Sequence, residues 1–419
     1  MEGSAGRLIV RLQRPSGGAG EATDGHGQTR TDTDGHGRAR TKPRRLASQP
    51  KLNDLNGLKR LIRLTTFGVE GSGGFGRVGV VVVLDEAFSP FTSASPFVNI
   101  GRMPHWLIKS AVHRALSLLP ASHLWNAWFQ KYVTRSLDLT RQRFRFRLEC
   151  CRRHLESFFE LRPRRGGGFT VFELGTGWFP VVPIGLYLCG ASEVWTFDIA
   201  PLLSGRRLRQ AFELFDEFDR SGELRCFLPL LQSDRLTSLR QAACAPGPAS
   251  AAERLQRLDI QVRTQDAAQT GLPSATVDLF VSTGVLEYIP VPAIEQILAE
   301  FRRVGSPDAV QSHYLNLADE YSYFDPSITP FNFLRFSERR WKYLNSPLAW
   351  LNRLRVPDYR RLFDRAGFEI IKEFNTSGRL EDLKKIQLAP EFRSYREEDL
   401  LVLASWLTVQ PQRRPPNGS

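Results

Sequence analysis

A chain of 419 residues, 42 % hydrophobic and 11 % aromatic, can fill at least one large core, which excludes a wholly disordered or fibrous protein. Its formal charge of +13 is dispersed: residues 1–102 hold 15 Lys/Arg against 9 Asp/Glu, a surplus of +6, and the other +7 is spread with no block of five like charges. No aromatic-basic nucleic-acid motif accompanies it, so the charge reads as a generally basic surface and a nucleic-acid partner is not expected.

The opening residues, MEGSAGRLIVRLQRP, are too interrupted by arginine for a secretory signal. The apolar run Val78–Leu84 is far shorter than the roughly 20 residues of a membrane span, so a cytoplasmic protein without a span is expected. Residues 1–102 are rich in Gly, Ser, Thr, Arg and Asp and repeat TDGHG at Thr23–Gly27 and Thr33–Gly37. Such a composition buries too little apolar surface to offset chain entropy and reads as a disordered extension. Gly71–Val78, GSGGFGRV, matches the glycine-rich loop of a protein kinase, but the strand-like VGVVVVLDEAF has no phosphate-pairing lysine and neither HRD nor DFG follows. It is read as a linker. Met1 and Met103 are the only methionines, and the composition changes at Met103, so translation from Met103 is expected; peptide mapping of the native N-terminus tests it.

From Pro104 to Leu161 apolar residues recur at helical spacing, as in Trp106, Ala111, Ala115, Leu118 and then Leu124, Trp128, Tyr132, which predicts a helical cap over 103–165. The five cysteines (Cys150, Cys151, Cys189, Cys226, Cys244) form no CxxC pair and no histidine stands beside them at ligand spacing; free thiols and no metal are expected. From Phe169 onward strand and helix patterns alternate, the mark of a parallel α/β sheet. Strands are predicted over Thr170–Leu174, Val194–Asp198, Asp259–Thr264, Val277–Thr283 and Ala309–Leu317. Helices fall over Val182–Cys189, Leu203–Phe218, Arg235–Leu258 with a loop at its Pro-Gly, and Ala293–Val304. Helix Pro357–Ala366 and strands Phe368–Glu373 and Leu400–Leu407 close the domain, which spans 166–410, with a disordered tail over 411–419.

Three segments carry chemistry. TVFELGTG, Thr170–Gly177, is a buried strand ending in a glycine turn; Gly175 and Gly177 allow close approach of backbone to a ligand, and Glu173 stands where it can reach an ammonium group. Asp198 ends the next strand, VWTFDI, where a carboxylate accepts both hydroxyl protons of a ribose. Its distance of 25 residues from Glu173 is a few longer than usual, and Trp178–Pro183, WFPVVP, accounts for the excess by delaying the helix. Asp266 ends a third strand, where a carboxylate accepts an adenine amino proton, and Ser282–Leu286 borders the same crevice.

On ELGTGW at Glu173–Trp178, Asp198, Gln265-Asp266 with Leu272-Pro273, VDLFVSTGVLEYIP at Val277–Pro290 and YRRLFDRAGFEI at Tyr359–Ile370, the chain resembles the class I S-adenosylmethionine-dependent methyltransferases, and within them a bacterial branch. The resemblance covers roughly Leu107–Gln410 and implies a Rossmann-like seven-stranded sheet, helices on both faces, last strand antiparallel. It implies S-adenosyl-L-methionine as cofactor, held by Glu173, Gly175, Thr176, Gly177, Trp178, Asp198, Ile199, Asp266, Ala267, Ser282 and Thr283. Departures are the long first turn, an insertion with Ala-Pro-Gly-Pro at 245–248, and Tyr288 where histidine is common.

The acceptor is to be held by what lies outside the shared core. The aromatic, proline-broken stretch His313–Asn352 reads as a lid or substrate wall (313–356), with His313, Glu320 and Asp325 as candidate general bases. Plain hydrophobic packing is the alternative there. A small-molecule acceptor is expected, because the Asn/Asp-Pro-Pro-aromatic tetrad of nucleic-acid amino methyltransferases is absent. Two rival functions share part of the pattern: a dinucleotide-dependent oxidoreductase, whose third glycine is missing after Gly177, and a catalytically silent methyltransferase-like binding module.

Overall fold

In this computed structural model the described residues are 9–10, 62–68, 78–84, 106–107, 110, 138–162, 168–245, 249–346 and 350–412. The chain divides into two units, residues 1–103 and 104–419. In the first, Val78–Leu84 pairs antiparallel with Ile62–Gly68, and Ile9–Val10 runs parallel to it on its other side. The β-branched residues of this unit are concentrated in one run, VGVVVVL, which favours an extended backbone. The TDGHG repeat, Gly71–Arg77 and Met103 lie outside the described residues, as does most of the stretch read as helical cap.

In the second unit seven strands form one sheet: β1 Phe169–Leu174, β2 Ala191–Asp198, β3 Ile260–Thr264, β4 Val277–Thr283, β5 Gly305–Asn316, β6 Phe368–Ser377 and β7 Val402–Pro411. Their order is β3-β2-β1-β4-β5-β7-β6, and β7 alone runs antiparallel to its neighbours. This is the Rossmann-like arrangement implied by the resemblance. Val171, Phe172, Glu173 and Leu174 of β1 are all buried, as an interior strand covered by helices on both faces requires.

Helix α1, Arg141–Leu161, is capped by Thr140, whose hydroxyl accepts the Arg143 N–H. Its buried Phe144, Leu148, Cys151, Leu155 and Phe158 recur at three- and four-residue steps and press on one face of the sheet with α2, Val181–Leu188, and α3, Gly205–Arg220. Every residue of α2 is buried, since it is enclosed between α1 and the strands. On the opposite face α4, Val291–Val304, and α5, Val356–Arg365, cover an aromatic stack in which Phe172 lies 4.7 Å from Phe197 and Phe280 lies 4.4 Å from Phe301. Each such side chain contributes about 1.5 to 3 kcal/mol on burial. The stretch Arg235–Leu258, read as a helix with a loop at its Pro-Gly, falls in two helices, Ser233–Cys244 and Ala251–Gln256.

Strand β5 runs on to Asn316, so the insertion begins after it and His313 belongs to the sheet. Gln311, Ser312 and His313 lie in the strand predicted over Ala309–Leu317; all three are fully buried and find polar partners: Ser312 Oγ pairs with His154 Nδ1 at 2.8 Å, His313 Nδ1 with Ser282 Oγ at 2.8 Å, and His313 Nε2 with Gln311 Oε1 at 3.1 Å. The insertion packs a third apolar cluster, Phe331, Phe333, Leu334 and Trp341, against Leu383, Phe392 and Leu400 from the segment between β6 and β7. Two buried arginines pin it. Arg353 donates to the carbonyls of Phe333 and Phe336, and Arg355 to those of Leu317, Leu400 and Val402. Trp106 joins the same lobe, its N–H donating to Asp325 at 3.1 Å and its ring lying 5.9 Å from Tyr321.

Candidate active site

The order β3-β2-β1-β4 changes direction at β1, and in such sheets the crevice beyond the carboxyl ends of the strands is where ligands bind. Register brings the expected residues to that edge: Glu173 lies opposite Thr196 of β2 and Val281 of β4, and Asp198 opposite Thr264.

The glycine turn is held from β2. Gly177, at φ +62° with open space where a Cβ would stand, donates its N–H to Asp198 Oδ2 at 2.9 Å, while Asp198 Oδ1 accepts the Ala200 N–H at 3.0 Å. A carboxylate offers about four lone-pair positions, so two remain for an incoming diol. Gly175 has a different task from the one expected. At φ +85° its Cβ would meet Val285 Cγ2 at 2.6 Å, so the close approach it permits is to the turn after β4 rather than to a ligand. Thr176 and Thr196 share a hydroxyl hydrogen bond at 2.6 Å, and Thr196 donates to Glu173 Oε2 at 2.5 Å. Burial pushes the Glu173 carboxyl up to about 8 against that hydrogen bond.

Around this centre Ile199 stands 84 % exposed just past the end of β2. Trp178 is half-buried beneath the Arg207 guanidinium, 4.1 Å from the ring centre. Asp266 is exposed and caps its own turn, Oδ1 accepting the Ala268 N–H at 2.9 Å, with Ala267 buried beside it and the Gln265 N–H donated to the Asp198 carbonyl at 3.0 Å. Glu173, Asp198 and Asp266 thus come from three adjacent strands at one sheet edge. Ser282 and Thr283 are not presented there. Their hydroxyls are buried against His313 and His154, so only their backbone borders the crevice.

The three candidate bases separate. His313 is fully buried inside the sheet, stacked 5.4 Å from Phe363, and burial holds its imidazole down to about 3, so it is neutral and has no path to a substrate. Asp325 is 3 % exposed and its oxygens accept from Trp106 N, Ser327 N and Ser327 Oγ, which makes it an internal cap of the insertion. Glu320 opens the short helix Glu320–Tyr323 just after β5, half-buried, and accepts the Tyr288 hydroxyl.

Two residues at this edge were missed in the sequence. Arg147 of α1 is half-buried with Nη1 3.5 Å from the Thr283 carbonyl; no ion pair engages it among the described residues, and its charge lowers both Glu173 and Glu287. The available signal was its place on the apolar stripe, three residues after Phe144 and four before Cys151. Glu287, in the turn after β4, is 3 % exposed; Oε1 accepts the Asn316 N–H at 3.1 Å, Oε2 has no partner among the described residues, and burial pushes the carboxyl up to about 8.

Residues 239–310 match a family described as a methyltransferase domain, a stretch that takes in β3, β4 and the start of β5. No curated protein matches the chain. Among solved structures, an S-adenosylmethionine dependent methyltransferase from Mesorhizobium loti is similar at 15 % identity over 61 % of this chain and 96 % of that one, TM-score 0.32. A SAM-dependent methyltransferase from Methanosarcina mazei is similar at 12 % identity over 59 % and 95 %, TM-score 0.31. A geranyl diphosphate methyltransferase in complex with GPP and sinefungin is similar at 9 % identity over 61 % and 75 %, TM-score 0.33.

Proposed function

We propose that the chain is a class I S-adenosylmethionine-dependent methyltransferase and that it transfers a methyl group to a small-molecule acceptor received between the ends of β4 and β5 and the insertion that follows. The donor set fits a sulfonium nucleoside. Asp198 keeps lone pairs for the ribose diol, Ile199 offers an apolar surface to the base, and Asp266 stands where an adenine amino group is met. At the amino-acid end the Glu173 carboxyl, which burial keeps protonated, is the group we assign to the ammonium, and Arg147 the one we assign to the carboxylate. S-adenosyl-L-methionine, when bound there, supplies an electrophilic methyl on sulfur. What the protein adds is position: aligned reactants can lower a barrier by up to about 7 to 11 kcal/mol. Glu320, the one candidate base with an exposed face at this edge, is the group we assign to remove a proton from the acceptor.

The observation that carries this reading is the Asp198 carboxylate tying the glycine turn to the end of β2 with lone pairs to spare. Calorimetry with S-adenosylhomocysteine tests it: binding by the full chain is expected, and a protein stabilised by NADH but not by S-adenosylhomocysteine would be an oxidoreductase instead. No helix among the described residues is long and apolar enough to cross a membrane.

A further inference from the structure

The strand ends beyond the cofactor crevice carry rings rather than free charges. Alternate residues of β5 share a face of the sheet: Ser312 meets His154 of α1, Tyr314 lies 5.5 Å from the ring of Phe146 on that helix at an interplanar angle of 71°, and Asn316 stands at the strand end. Glu173 lies on the same face, since it is opposite Val281, whose neighbour in β5 is Ser312. The rings therefore continue the side of the edge that Glu173 and Arg147 occupy. From the short helix Glu320–Tyr323, Tyr323 donates its hydroxyl to Asn316 Oδ1 at 3.2 Å, and Glu320 accepts that of Tyr288 from the turn after β4. Phe146 is 44 %, Tyr288 38 % and Tyr323 63 % exposed, and rings left facing water at a ligand edge are a surface for another ring.

The charged groups around these rings are engaged. Glu287 is 3 % exposed with Oε2 unpartnered among the described residues, and burial holds its carboxyl up at about 8, so it stands there as a neutral acid. Arg153, which acts on Tyr314, pairs with Glu149 and lies over the ring of Trp406. Glu320 holds the Tyr288 hydroxyl, and Arg147 is the group assigned to the cofactor carboxylate, which meets its charge. What is left over is uncharged: the Tyr314 hydroxyl and Asn316 Nδ2 take no hydrogen bond among the described residues. An ammonium or a carboxylate entering this space gives up its hydration without gaining a counter-charge, whereas a neutral polar substituent finds a partner.

Resting on the methyltransferase reading above, we propose that the acceptor is an uncharged planar aromatic compound, its ring laid against those of Phe146, Tyr314 and Tyr323 and its polar substituent met by the Tyr314 hydroxyl and the Asn316 amide. The rings ask for flatness, because offset and edge-to-face contacts reward an aromatic partner beyond the area it buries. The engaged charges ask for neutrality. Tyr314 is then the residue that reads the acceptor, packing against it with its ring and orienting it with its hydroxyl. Tyr323, tied to Asn316, fixes the second ring and the amide relative to each other.

The test uses the full chain saturated with S-adenosylhomocysteine and four probes of one skeleton: 2-naphthylmethanol, its saturated analogue decahydro-2-naphthylmethanol, the cation 2-naphthylmethylammonium and the anion 2-naphthoate. Dissociation constants are read by ligand-observed NMR titration. The aromatic alcohol is expected to bind roughly two- to twelvefold tighter than the saturated one, the scale of an aromatic pair beyond its buried area. Each charged analogue should bind roughly tenfold or more weakly than the aromatic alcohol, through desolvation without a counter-charge. Tyr314→Phe should lose roughly two- to tenfold in affinity for the aromatic alcohol, the scale of one neutral hydrogen bond, and keep the preference for the flat ring. Tyr323→Leu should lose most of that preference. Both variants should bind S-adenosylhomocysteine as the parent does, which shows that they fold. Equal or tighter binding of the saturated alcohol overturns the aromatic seat, and tighter binding of either ion overturns its neutrality; binding of none of the four overturns the seat altogether. In each of those cases the methyltransferase reading stands, whereas failure of S-adenosylhomocysteine itself to bind overturns both.

Discussion

The two halves of the crevice are built by different means. On the cofactor half, residues close in sequence do the work: Gly177, Asp198 and Ala200 are joined through one carboxylate, and Thr176, Thr196 and Glu173 through two hydroxyls. On the proposed acceptor half, several contacts span the chain: Arg147 reaches Thr283 across 136 positions, Tyr288 reaches Glu320 across 32, and Trp106 reaches Asp325 across 219. On the proposed reading, the cofactor is met by a short local motif, whereas the acceptor is met by an insertion that must first be packed into place.

That contrast can be broken or sharpened experimentally. The largest effect is expected at the pin of the acceptor half. Arg355→Ala leaves the carbonyls of Leu317, Leu400 and Val402 buried without their donor, and at roughly 1 to 3 kcal/mol for each such group the loss should be about 3 kcal/mol or more in urea unfolding. A loss below about 1 kcal/mol would show that the insertion holds itself together.

Next comes Asp198→Ala, which should weaken S-adenosylhomocysteine binding by about 1.5 to 3 kcal/mol, the scale of hydrogen bonds to a charged group. An unchanged dissociation constant would remove the ribose role. Gly175→Ala should cost about 1 to 3 kcal/mol of stability through its positive φ and the contact with Val285. Adding Val285→Ala should recover the contact part, about 1 kcal/mol of coupling in a double-mutant cycle; simple additivity would mean the strain is all backbone.

The smallest step is Glu173→Gln, which mimics the protonated acid. Glu173 and Glu287 carry raised pKa values of about 8, so the native state holds two protons that the unfolded chain gives up above about 4.5, and stability falls as pH rises through 8. His154 and His313 are held down at about 3 by burial, so the unfolded chain binds two protons below about 6.5 and stability falls as pH drops towards 3. The two pairs oppose each other between about 4.5 and 6.5, where these four groups leave stability flat; above that range it should decline. Glu173→Gln should change stability by less than about 1 kcal/mol near pH 4, where both side chains are uncharged in either state, and make the alkaline decline shallower. A profile with the same alkaline slope would show that Glu173 is ionised in the native state.

Most of the sheet was legible because it rests on short-range periodicity. Runs such as TVFEL and VDLFVST alternate or saturate with apolar residues over one strand length, and their spacing leaves room for a single crossover helix. Asp198 was legible for the same reason, since a strand end and a glycine turn place it without reference to the rest of the chain. His313 was read both within strand Ala309–Leu317 and as the first residue of the lid, and its burial shows only once the partners of Ser312 and His313 are known, His154 on a helix and Ser282 on a strand far away in sequence. Arg147 and Glu287 escaped notice likewise: one sits on an apolar helical stripe and the other in a three-residue turn, and their meaning appears only when α1 is laid across β4 and β5. Local pattern was enough for element type and for the place of Asp198 at a strand end, because hydrogen-bonded strands and tight turns impose their own periods. Which polar side chains are buried partners and which face a ligand was decided by tertiary packing alone, since desolvation and pairing depend on neighbours that only the folded chain brings within reach.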